Sequence, residues 1–193
     1  MSFQAGVGTS DEDLVSEFIH HVVLLAIKTQ HFLIKSVKMT SAITVSFPGG
    51  NNEPNIEVTL ALLGTSLAGL KLNSPLMDHD RANRLEDLCR KSLWTLAHNT
   101  EEAKELPAIL TEYQRVFQSA LTAGKNPFGE VTGAMICRSL GDQAHSLCLK
   151  GTTVINPFIH KILGDIIIIS ATEVVSFWKT RTLSNVTMGG GSG

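Results

Sequence analysis

Charge is scarce in this sequence. Asp, Glu, Lys and Arg make up 18% of its 193 residues, against roughly 25% in ordinary soluble domains. Less of the surface is built for permanent contact with water, so some apolar area is expected to be covered by other subunits. A formal net charge of −2 does not supply the strongly basic face of a general nucleic-acid binder. The densest basic group, Arg81, Arg84, Arg90 and Lys91, is interleaved with Asp80, Glu86 and Asp87 and reads as a solvated helix face.

Cysteine is sparse too. Cys89, Cys137 and Cys148 show no C-x-x-C spacing, and an odd count fits reduced thiols in a cytoplasmic or nuclear protein. Residues 1–13 lack the basic and apolar regions of a secretory signal peptide, which leaves Asn185-Val186-Thr187 without meaning as a glycosylation acceptor. No apolar run reaches the ~20 residues of a transmembrane span. Phe18 to Ile27 lies between Glu17 and Lys28, and Val154 to Trp178 is interrupted by His160, Lys161, Asp165 and Glu173. Residues 189–193 read as a Gly/Ser linker or tag scar.

Catalytic fingerprints are also missing: there is no HExxH, no paired-carboxylate spacing and no Ser/His/Asp arrangement. Gly64 to Gly69 lacks the GxSxG form, the Walker lysine and the GxGxxG spacing, and reads as a bend between strands. In Asp78-His79-Asp80, neighbours on a helix point in different directions, so the trio is expected to be the acidic first turn after a Ser74-Pro75 cap. Cys137, His145 and Cys148 match no standard zinc spacing, and His160 is the only nearby fourth ligand. No cofactor or metal is expected. His20, His21 and His31 fall on an apolar helix, where one of them is expected to be a satisfied core histidine.

What is present is pattern. Ser10 and Asp13 form a cap, and Leu14, Phe18, Val22, Leu25 and Ile27 recur near helical spacing, which predicts a first helix from about Asp11 into the thirties. Ile43, Val45 and Phe47, then Ile56, Val58 and Leu60, alternate with polar residues and predict a β-hairpin within 42–72 that buries those six side chains, with residues 48–54 as its loop. Leu67, Leu70 and Leu72 extend this as a short third strand. Beyond it the periodicity is helical over 74–183. Thr100 with Glu101 and Glu102 opens a helix that Pro107 should kink or delay.

Asn126-Pro127-Phe128 and Asn156-Pro157-Phe158 each place a capping residue before a proline suited to the first helical turn. In exposed tails this tripeptide resembles the ligand of EH domains. Apolar periodicity follows both copies here, so capping is the expected role and Phe128 and Phe158 are expected to pack inward.

Ile166-Ile167-Ile168-Ile169 leaves no face for water and predicts burial on every side, either in a helix that continues to about Lys179 or in a buried strand released at Gly164, at a core or a subunit contact. The expected fold is therefore α+β, mainly α: an N-terminal helix, a β-hairpin and a bundle of four to six helices, forming one globular domain over residues 1–188. The expected function is that of a non-enzymatic, self-associating structural or interaction protein of coat, matrix, nucleocapsid or scaffold type. Ile166, Ile167, Ile168, Ile169, Phe177 and Trp178 are its candidate homo-oligomer interface. A second expectation is a helical bundle that binds a small molecule or lipid between the faces of Tyr113 to Leu121 and Ile159 to Ile169. A third is an enzyme with a dispersed site drawn from His79, His98, His145 and His160 beside carboxylates.

Overall fold

Hydroxyl groups explain how the centre of this protein was built. The computed structural model describes residues 10–41, 53–72, 79–97, 99–150 and 152–186. Among them, six α-helices follow one another: α1 (Asp11–Ser41), α2 (Ile56–Leu72), α3 (His79–Ser92), α4 (Thr100–Thr122), α5 (Pro127–Leu140) and α6 (Pro157–Val186). Helix α2 is buried without interruption from Val58 to Leu70 and touches each of the other five helices. Its polar side chains do not need water. Thr59, Thr65 and Ser66 return their hydroxyls to the carbonyls of Asn55, Ala61 and Leu62 at 3.0, 2.8 and 2.6 Å, which satisfies them inside the helix.

This corrects the α+β expectation. Residues 56–62 form the first turns of α2, and no strand occurs among the described residues. The first predicted hairpin arm, residues 42–47, lies outside the described residues. The alternation over 56–62 misled because Leu60-Ala61-Leu62-Leu63 is apolar on every side, and such a run is as compatible with an enclosed helix as with a strand. Gly64 is a close-packing position in α2 and not a strand bend: a Cβ there would come within 2.9 Å of Tyr113 Cβ on α4. The predicted third strand likewise falls within α2.

The outer helices wrap this centre. Ser10 caps α1, accepting from Asp13 N–H at 3.1 Å. Asn99, one residue before the expected start, caps α4 by accepting from Glu102 N–H at 2.9 Å, and the helix runs through Pro107 with no delay. Asn126 and Asn156 accept from the N–H groups of Phe128 and Phe158 at 3.1 and 3.0 Å, so both caps form as expected. Ser74-Pro75 lies outside the described residues. A short link between α5 and α6 closes with a single bridge between Cys148 and Ile155.

Helices α1 and α6 run antiparallel. Phe18 meets Trp178 with ring centroids 4.2 Å apart, His21 stacks on Phe177 at 5.4 Å, and farther along α1 the Thr29 and Ser170 hydroxyls share a buried hydrogen bond of 2.7 Å. Residue numbers rise on one helix as they fall on the other. The Gln30 side-chain carbonyl accepts from Asn55 N–H at 3.0 Å and ties α1 to the entry of α2. Gly164 does not end α6, which carries the four isoleucines as helix.

Candidate functional site

Several charged and hydroxyl side chains are engaged with one another across the helices. Glu57 at the start of α2 accepts from the Tyr113 hydroxyl at 2.7 Å and from Arg138 Nε at 3.0 Å, which joins α2, α4 and α5. Burial first, and the Glu57 carboxylate second, push the Tyr113 hydroxyl far above its ordinary value of 10.0. The hydrogen bond to Glu57 holds Arg138 more firmly protonated. Glu86 accepts from Arg90 Nη2 at 2.9 Å, and Arg90 also reaches Thr111 on α4. Arg81 donates twice to one oxygen of Asp11, at 2.9 and 3.1 Å. The basic cluster of α3 is thus largely neutralised by carboxylates within the molecule.

A polar cleft of about 280 Å³ opens where α5 and α6 begin, lined by Asn126, Gly129, Glu130, His160, Lys161, Gly164 and Asp165. Of the candidate catalytic histidines, His160 sits in this cleft, with the carboxylates of Glu130 and Asp165 on its walls. Its Nε2 pairs with the Gly129 carbonyl at 3.0 Å, while Lys161 holds Asp165 at 2.7 Å and Lys125 approaches Glu130 at 3.6 Å. His160 is therefore tied to backbone, and among the described residues no carboxylate orients it as a general base. His79 begins α3, whereas His145 lies exposed in the turn after α5. His98 lies outside the described residues.

Cys137 is exposed and Cys148 half-buried, and no group of three or more His, Cys, Asp or Glu side chains among the described residues is arranged to hold a metal. His20 and His31 are exposed, while His21 is half-buried. The satisfied core histidine is not found in His21, because its buried Nε2 lacks a hydrogen-bond partner among the described residues.

The apolar surface is distributed differently. Ile167 and Trp178 are buried and Ile166, Ile168 and Phe177 half-buried, but Ile169 is 68% exposed. Burial on every side is thus corrected for this chain alone: a helix seated on α1 and α2 keeps an outer face, and Ile169 occupies it. Beside Ile169, a shallow depression of about 190 Å³ runs between α1 and α6, lined by Leu25, Lys28, Thr29, Phe32, Ile166, Ile169, Ser170 and Glu173.

On α1, Phe32 is 59% and Met39 75% exposed. They are seven residues apart, two turns along one stripe. On α6, Phe158 is 62% exposed and stands eleven residues, about three turns, before Ile169 on the same line. The inward packing expected of Phe158 is corrected by this exposure. Phe128 is half-buried, edge-on to Phe117 at 5.4 Å.

Of the two faces expected to enclose a ligand, Tyr113, Phe117, Ile159, Leu163 and Ile167 belong to one continuous core. No helix among the described residues is long and apolar enough to cross a membrane. No family model, curated protein or solved structure matches this chain.

Proposed function

We propose that this protein is a non-enzymatic, self-associating subunit of structural or scaffold type that assembles through the outer face of α1 and α6. The observation that carries the reading is the alignment of Phe32, Met39, Phe158 and Ile169, each more than half exposed, on the one face formed by those two helices. Single exposed apolar residues are ordinary, whereas four large ones in register on neighbouring helices form a contact patch. The depression between them favours a protein over a small molecule, because about 190 Å³ falls below the ~300 Å³ at which ligand pockets begin.

Light scattering across the micromolar range tests this. The wild-type chain is expected to exceed monomer mass, and Ile169→Asp to return it to monomer while the helical circular dichroism is retained. A wild-type chain that stays monomeric throughout would overturn the assembly reading and favour a bundle that binds a small ligand.

A further inference from the structure

Lys28 and Glu173 rim the same depression from opposite sides, both exposed, and neither forms an ion pair among the described residues. Their heights along the bundle follow from the Thr29–Ser170 hydrogen bond, which sets those two residues level. Lys28 precedes Thr29 by one residue and Glu173 follows Ser170 by three, so on antiparallel helices they stand about two residues, or ~3 Å, apart in height. The same count leaves Phe32 about level with Ile169, and Met39 with Phe158. Three levels of the face therefore carry matched pairs: one charged rung and two apolar rungs.

We infer that the occupant of this face is a second copy of the chain, related by a two-fold axis parallel to α1 and α6, so that the four helices form an antiparallel seam with Lys28 of each copy paired to the partner's Glu173. This rests on the self-association proposed above and specifies its geometry. Rotation about such an axis preserves height and exchanges left for right. It lays α1 on the partner's α6, Phe32 against the partner's Ile169, and Met39 against the partner's Phe158. Both lysines then meet carboxylates, and isologous symmetry forms the ion pair twice. An axis across the helices stacks α1 on α1 instead and sets each charge over its own copy or over apolar side chains, at an electrostatic or desolvation cost.

The size of the face sets the strength. From Phe158 to Glu173 it is about 23 Å long and two helices, roughly 20 Å, wide. The footprint is then on the order of 500 Å² per subunit, below the ~800 Å² of a standard interface. The dimer is accordingly reversible.

Charge reversal tests the pairing by sedimentation or light scattering. Lys28→Glu and Glu173→Lys are each expected to weaken self-association roughly tenfold or more, since each turns two attractions into two repulsions. Mixing the two variants is expected to restore association to near the wild-type level, because both cross-copy contacts in the mixed dimer are again of opposite sign. An ion pair within one copy gives no such rescue on mixing. Unchanged melting temperatures show that these exposed substitutions leave the bundle folded.

If wild type dimerises and Ile169→Asp abolishes it, but the reversals are neutral or mixing fails to rescue, this pairing is overturned and the face remains. A wild-type chain that is monomeric overturns both.

Discussion

Cys89 is fully enclosed on α3 beside Glu86. Burial first, and the neighbouring carboxylate second, push its thiol from an ordinary 9.0 up to about 12. The folded state therefore holds this proton more tightly than the unfolded chain does. The associated stability is intact below pH 9 and drains away as the pH rises from 9 toward about 12. Tyr113 shifts in the same direction from 10.0 and adds a second loss that starts near pH 10. The wild-type melting temperature is thus expected to decline from about pH 9 upward. Cys89→Ala should remove that early part and leave a decline starting about one unit later. Thermal melts at closely spaced alkaline pH check this, and identical profile shapes for the two proteins would refute it.

At the scale of the element, Asn126 and Asn156 make the same cap on two helices whose next aromatic residue differs in burial. Replacing either asparagine with alanine is expected to cost on the order of 1 kcal/mol. Phe128→Ala should add a packing loss from its contact with Phe117, while Phe158→Ala should leave monomer stability nearly unchanged. Denaturant melts at low concentration distinguish them; equal losses for the two phenylalanines would contradict the exposure of Phe158.

The caps at Ser10, Asn126 and Asn156 were legible in the sequence because a cap is a local arrangement of a few residues. Helix α2 was not. Its neighbours come from everywhere in the chain, and period two in 56–62 says nothing about whether the remaining sides are enclosed. Of the proposed contact face, the isoleucine run indicates the part on α6, whereas Phe32 and Met39 on α1 give no comparable run in the sequence. Their spacing of two helical turns, with Lys28 and Lys35 alongside, carried the signal. Which of the apolar stripes on α1 faces outward depends on where α6 lies, and a single sequence does not hold that information.

At the scale of the molecule, stability is shared through α2. A helix with no polar side needs every wall of its enclosure, and α6 supplies one of them. A chain ended after Leu147 is expected to lose the single cooperative melt of the full protein and to behave as an expanded helical state that binds hydrophobic dyes. Near-ultraviolet circular dichroism and dye fluorescence would show this; a sharp, native-like transition in the shortened chain would mean that α6 is dispensable to the core.

The enclosure of α2 also bears on how the protein is made. Synthesis proceeds from the amino terminus, so α2 is complete at Leu72 while its last wall is complete only at Val186. At about 5–20 residues per second, the greasy helix waits roughly 6 to 23 s between its own completion and that of its final covering. Over that interval it offers apolar side chains on all sides to whatever surrounds the ribosome. Slowing translation between the two points lengthens the exposure, so the yield of folded protein depends on how soon the bundle can close after α2 is made.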